Sequence, residues 1–191
     1  MSQILEGLEG VQCNIDDVLI HVSTQSQHDA ILQQVLERLS AAGVTLNSSK
    51  CEFNTKQIKF LGHIISSEGI RPDPDKVSAV IDMPPPKNVP GVRTFFGMVN
   101  HLGKFAELAD KTKAIKELAK KETKWCWGPA QQSAFEETER SLANSPILAL
   151  YDPNKETKIS ADASSHELLQ KQEDNSWKPV TFISRALTLT E

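Results

Sequence analysis

The sequence predicts an α+β protein: a small sheet with one helix packed on its face, then a helix-rich stretch, then a last group of strands. Three observations carry this prediction. Short apolar runs favouring extended structure recur between Val11 and Ile65, each bounded by turn residues. One clear 3.6-residue stripe interrupts them, from Ser26 to Ala42. Prolines at 72, 74 and 84–86 then divide the chain, and helical spacing dominates until Leu142.

Composition narrows the class. The 191 residues allow one or two domains, with 21 Lys and Arg against 25 Asp and Glu, a net charge of −4. That balance argues against nucleic-acid binding by bulk charge but leaves room for a local basic face. Lys104, Lys111, Lys113, Lys116, Lys120, Lys121 and Lys124 form such a block, read first as a solvated surface. No apolar run is long enough to span a bilayer, and the first residues lack a signal-peptide pattern. Cys13, Cys51 and Cys126 are distant from one another and show no Cys-x-x-Cys spacing. A reduced, intracellular setting, cytoplasmic or nuclear, is expected.

In order, Met1 to Gly10 is expected to be the end of a helix, with Ile4, Leu5 and Leu8 at helical spacing. Val11 and Val18-Leu19-Ile20 flank Asp16-Asp17, which predicts a hairpin with the two carboxylates at its tip. Such oxygens are hard ligands suited to Mg²⁺, although an Asp-Asp turn is the plainer reading of the dipeptide alone. The helix over 26–42 is capped by Thr24 or Ser26 and ended by Gly43, and His28 near its start is read as a surface residue. Strands are expected at Val44–Leu46, Cys51–Phe53 and, paired or bent, Ile58–Ile65, with Gly62 allowing a bulge or a close backbone approach. A short helix is expected from Asp75 to Ile81, then an extended Pro84-Pro85-Pro86 connector. Val92, Phe95, Phe96, Val99, Leu102 and Phe105 predict a helix over 89–108, with a break or a contact at Gly97 or Gly103. Further helices are expected at 113–121 and, with Pro129 as its first residue, at 130–142. Strands are expected at Pro146–Tyr151, Thr157–Asp162 and Pro179–Ser184, then a polar tail to Glu191.

Several of these motifs, in this order, resemble the pol polyprotein of gypsy-like LTR retroelements, from the reverse transcriptase palm into the start of ribonuclease H. Ile15-Asp16-Asp17-Val18-Leu19-Ile20 resembles the polymerase hairpin whose aspartates bind catalytic Mg²⁺. Ala42–Phe53 resembles the next palm motif, whose lysine, here Lys50, lies near the incoming nucleotide. Phe60-Leu61-Gly62-His63 resembles the primer grip, and Gly69–Lys76 the passage into the thumb. Phe95–His101 resembles a thumb helix in which Gly97, Asn100 and nearby Lys104 would meet nucleic acid. Trp125–Phe135 is similar to the connection segment. Ile159–Ser165 is similar to the first ribonuclease H strand, with Asp162 as its metal-binding acid. Trp177–Val180 and Ser184–Leu187 are similar to that domain's next strand and turn.

The resemblance implies four parts: a partial palm over 1–71, a thumb over 72–110, connection helices over 111–145 and a truncated ribonuclease H-like α/β segment over 146–191. It implies catalytic and metal-binding roles for Asp16, Asp17 and Asp162, Mg²⁺ or Mn²⁺ as the ion, a template–primer duplex of RNA and DNA, and deoxynucleotides as substrates. It also shows departures. The family's first palm aspartate would lie upstream of Met1, and the remaining ribonuclease H acids past Glu191. Position 14 carries Asn where the family has an aromatic or Met. Phe105–Leu108 looks shortened, and residues look deleted at Glu167–Gln170, where a Gly-rich strand would complete a hairpin. With an incomplete acid set the expectation is a chain inactive on its own. The alternatives are a non-catalytic nucleic-acid-binding remnant or a degenerate product.

Overall fold

The computed structural model describes residues 1–121, 123–162 and 165–184. It contains two compact units, Met1–Thr55 and the chain from Lys56 onward.

In the first unit, β1 (Val11–Asn14) and β2 (Asp17–Ile20) form the expected antiparallel hairpin, closed by the pair Asn14–Asp17. Helix α1 (Gln25–Ala41) comes next, with the Thr24 side chain accepting from the Gln27 amide at 3.3 Å. Gly43, at φ 70°, turns the chain out of it. Leu5, Val35 and Leu39 are buried, with Val11, Val18, Ile20 and Ile31 packed around them. The first ten residues are turns, not the helix expected. Gly7 and Gly10 both take left-handed φ values, of 80° and 75°, which a continuous helix excludes. Arg38 holds this segment by donating to the Glu6 carbonyl at 2.7 Å. The strands expected at 44–46 and 51–53 are also absent. The intervening Ser48–Lys50 forms a 3₁₀ turn, capped where Asn47 accepts from the Ser49 amide, and the flanks have no ladder partner.

The second unit opens with a three-stranded antiparallel meander of β3 (Gln57–Phe60), β4 (His63–Ser66) and β5 (Gly69–Pro72). The predicted strand pair is β3–β4, joined by Leu61-Gly62 with φ 52° and 73°. Two positive φ values mark the type I′ loop that suits a hairpin twist, so Gly62 makes a turn rather than a bulge. Helix α2 (Pro74–Ile81) begins at the Asp73 cap, and α3 (Val89–Leu102) at the Asn88 cap. The helix expected to reach Leu108 stops at Leu102 and tightens into a 3₁₀ turn at Gly103–Phe105, at the glycine where a break was expected. The second lysine-rich helix is shorter than expected: α4 spans Lys113–Glu117, and α5 spans Pro129–Ala143. Their inner faces share one core built on Val80, Val92, Phe95, Val99, Ile115 and Phe135, with Trp125 and Trp127 against it.

The last three strands, β6 (Thr157–Ala161), β7 (Ser165–Lys171) and β8 (Trp177–Ser184), form an antiparallel sheet in sequence order. The hairpin that looks interrupted in sequence at Glu167–Gln170 is completed by β7, with Ile159 opposite Leu168. Gln170 is fully buried and fully bonded. Its amide donates to the Asp152 carbonyl at 2.7 Å and to Thr157 Oγ1 at 2.9 Å, and accepts from the Asp152 amide at 2.9 Å. Pro146–Tyr151 is not a strand. It makes one two-bond bridge, Leu148 to Ile70 with both N···O distances 2.8 Å, and Ala149 donates to the Pro179 carbonyl at 2.7 Å. Ala163, Ser164 and the motif and tail residues from Arg185 onward lie outside the described residues.

Candidate nucleic-acid interface and carboxylate pair

The β1–β2 loop is two residues long, Ile15-Asp16, with Asp17 opening β2. Both carboxylates are exposed. Ile15 sits at φ 52° and is 79% exposed, an uncommon conformation for a β-branched residue that the closing pair imposes. Lys50 is exposed at the end of its 3₁₀ turn. Asp162 is exposed directly after β6. Among the described residues no three His, Cys, Asp or Glu side chains gather as a metal site. The adjacent Asp16 and Asp17 offer two hard oxygen donors, part of an Mg²⁺ shell that water and phosphate would complete. They do not fit a two-ion centre, which needs acids from further elements.

The second unit brings together the other residues singled out in the sequence. The core of α3 uses Val92, Phe95, Val99 and Leu102. Its opposite side presents Arg93, Gly97, Asn100 and His101, all exposed, and Lys104 continues the row into the 3₁₀ turn. These positions recur at four, seven, eight and eleven residues from Arg93, one stripe of a helix. A Cβ placed on Gly97 would meet nothing within 4 Å, so the glycine is a gap open to solvent. The motif resemblance does not single out Arg93 and His101, although the helical spacing from Gly97 points to both.

The β3–β4 tip packs beside this stripe. Leu61 is exposed, and Phe60 and His63 are half-buried. The His63 ring stacks on His101, with centroids 5.2 Å apart and planes 9° from parallel, and meets Phe105 edge-on at 5.3 Å. A Cβ on Gly62 would collide with the His101 ring, so this glycine serves both the turn and the contact. Lys104 Nζ lies 5.1 Å over the Phe105 ring. Burial, then the nearby charges of Lys104 and His101, push the His63 pKa down to about 4 against a weaker pull from Asp73. Burial also lowers that of Lys104. His63 is therefore neutral in the fold, and its Nδ1 is buried without a hydrogen-bond partner among the described residues. What this tip offers a ligand is its loop, not a charged imidazole.

This depressed pKa makes stability depend on pH. Between its ordinary value of 6.5 and about 4, His63 binds a proton in the unfolded chain that the folded chain refuses. Stability is thus level above pH 6.5 and falls as pH drops through that window. The loss is about 1–2 kcal/mol, the full linkage value being cut by screening of the partly exposed ring. Urea unfolding at pH 7 and pH 5 will show it, and the His63→Phe variant, which keeps a ring against Phe105, will lose that part of the dependence.

Below the tip, the Lys59 ammonium lies 2.6 Å from Asp73, which is 2% exposed, and 2.9 Å from Asp75. Burial works to raise the Asp73 pKa, but the bonds from Lys59 and the Asp75 amide outweigh it and hold the carboxyl below its ordinary value. This ion pair anchors β3 to the start of α2. Part of the lysine block is also structural: Lys111 donates to Ser141 Oγ at 2.9 Å, and Lys120 pairs with Glu117 at 2.6 Å.

Comparison with known proteins gives concordant results. Residues 1–65 match the family "Reverse transcriptase (RNA-dependent DNA polymerase)", and residues 127–191 match "RNase H-like domain found in reverse transcriptase". The Transposon Tf2-3 and Tf2-7 polyproteins of Schizosaccharomyces pombe are each 34% identical over 183 residues, which is 93% of this chain and 14% of theirs. The chain thus spans about a seventh of the length of these relatives. Among solved structures, a foamy viral protease–reverse transcriptase in complex with double-stranded DNA matches with TM-score 0.86 at 20% identity, over 100% of this chain and 34% of that one. The same viral protein with an RNA/DNA hybrid matches with TM-score 0.85, again at 20% identity, over 100% of this chain and 26% of that one. No described helix is long and apolar enough to cross a membrane. The two matched families use divalent metal ions. Motif order, fold and relatives agree: this chain belongs to the gypsy-like retrotransposon polyproteins, in the part that passes from reverse transcriptase into a ribonuclease H-like domain.

Proposed function

We propose that this chain grips a nucleic-acid duplex, as the primer-holding part of an RNA-directed DNA polymerase, and does not catalyse by itself. The outer stripe of α3 carries the reading. A glycine gap at Gly97, flanked by Arg93, Asn100 and Lys104, lets a backbone approach the helix while cations and an amide meet its phosphates and sugars. The Leu61-Gly62 tip beside it takes the role of the primer grip. The viral neighbours carry double-stranded DNA or an RNA/DNA hybrid, which supports a duplex as the ligand. Lys50 near an incoming deoxynucleotide, Asp16 and Asp17 as donors to Mg²⁺ or Mn²⁺, and Asp162 as a ribonuclease H acid complete the proposed assignment. On this reading the four parts are palm over 1–71, thumb over 72–110, connection over 111–145 and ribonuclease H-like segment over 146–191.

Binding of a fluorescent RNA–DNA hybrid, monitored by anisotropy, tests the grip. Two phosphate contacts, from Arg93 and Lys104, predict a roughly tenfold loss of affinity between 50 and 200 mM salt. Gly97→Ala separates stability from binding. In the open helical position alanine stabilises the fold by about 0.5–1 kcal/mol, yet it fills the gap and weakens the hybrid complex. An affinity unchanged by Gly97→Ala and by salt overturns the proposal.

The catalytic half has its own test. With two adjacent acids and no third among the described residues, primer extension on an RNA template with Mg²⁺ and deoxynucleotides is expected at background, and Asp16→Asn leaves it there. Extension above background that disappears in Asp16→Asn would show a working polymerase.

A further inference from the structure

We propose that His101 is a positioning residue: it holds the Leu61-Gly62 tip in a fixed place beside α3, so that tip and helix present one preformed surface to a duplex. The inference rests on the duplex grip proposed above and supplies the part that joins its two halves.

Arg93, Gly97, Asn100 and Lys104 meet the duplex in that reading, and His101 is the member of the stripe without a role. It stands four residues after Gly97 and three before Lys104. Its ring, however, is turned onto the neighbouring hairpin. One flat side lies on His63, with planes 9° from parallel and centroids 5.2 Å apart, an offset stack. The Nε2 end of the same ring reaches Gly62, where a side chain at that position would lie. A left-handed turn position accepts asparagine as well as glycine. Here any side chain would run into His101, so the ring leaves room for glycine alone.

The tip needs such a stop. A second tie lies at its base, where the Asp73 amide donates to the Gly62 carbonyl at 3.4 Å, long for such a bond. Lys59 fixes Asp73 in turn. Above that base, His63 is wedged between two rings. Phe105, fully buried, meets it edge-on at 5.3 Å, and His101 covers its face. Swinging the tip away from α3 therefore means unstacking His101 or moving Phe105 out of the core. The contact is steric and aromatic, so a phenyl ring can make it. A loop ordered before the ligand arrives costs less to bind, and that saving is what His101 contributes.

The full chain, with an RNA–DNA hybrid as the probe, tests this in two arms. His101→Ala is expected to weaken the hybrid complex by roughly three- to tenfold, the worth of one aromatic pair. Arg93 and Lys104 keep their phosphate contacts, so the slope of log affinity against log salt stays as in the unchanged chain. Backbone NMR relaxation of the ligand-free protein is the second arm. The Leu61 and Gly62 amides lose order in His101→Ala. His101→Phe restores both affinity and order, which a residue acting through its imidazole nitrogens would not allow. An unfolding midpoint near that of the unchanged chain shows that each variant is folded. The proposal is overturned if His101→Ala binds as tightly as the unchanged chain, if its salt slope falls with its affinity, if the tip amides stay ordered, or if His101→Phe restores neither. A chain that binds no hybrid at low salt overturns the grip itself, and the relaxation arm then decides separately whether His101 holds the tip.

Discussion

Gly69→Ala is expected to destabilise the second unit by about 3 kcal/mol or more. Gly69 opens β5 at φ 133°, a region essentially closed to residues with a Cβ. The space is closed as well. An added Cβ would run into the Leu148 carbonyl oxygen and touch the Ile147 side chain. That carbonyl accepts from the Ile70 amide at 2.8 Å, and the Ile70 carbonyl accepts from Leu148 in return. Relief of the clash therefore means breaking the bridge that ties the meander to the segment before β6. All three tryptophans, at 125, 127 and 177, lie in this unit, so urea unfolding monitored by tryptophan fluorescence reads its stability directly. A midpoint shift no larger than that of a surface substitution would contradict the description of this contact.

Phe105→Ala is expected to lose about 3–5 kcal/mol, the range for truncating a fully buried aromatic side chain. Its effect reaches beyond packing. Phe105 meets the His63 ring and carries Lys104 above it, so its loss admits water around both. The His63 pKa, about 4 in the intact protein, then rises toward its ordinary 6.5. Histidine titration by NMR measures this independently of the unfolding curve. A destabilised variant whose His63 still titrates near 4 would mean that Phe105 does not shield the ring.

The parts of this fold legible in the sequence are those that local chemistry determines. Helix α1 is set by its stripe and Thr24, α2 follows the boundary at Pro72 and Pro74, and α5 has Pro129 at its first position. The β1–β2 hairpin is set by apolar flanks around two acids. The illegible parts depend on distant partners. Val44–Leu46 and Cys51–Phe53 have strand composition but gain no ladder, while Gly69-Ile70-Arg71-Pro72 has poor strand composition and gains one from β4. Composition registers propensity, and pairing overrides it. The first ten residues depart from expectation for another reason, since two left-handed glycines outweigh helical spacing. At the site, the acids and the glycine of α3 are readable from motif and spacing. The stacking of His63 on His101 joins residues thirty-eight positions apart, and no local pattern announces it.

Ile15 gives the carboxylate hairpin a mechanical gradient. At its base the ladder continues into a bond from His21 to the Gly10 carbonyl at 2.8 Å and rests on buried Leu5 and Leu39. At its tip a branched side chain is held in a left-handed turn that it would leave if released. The Asn14–Asp17 rung and the two acids are exposed and lie outside that buried cluster, so local opening of the ribbon is expected at the tip before the base.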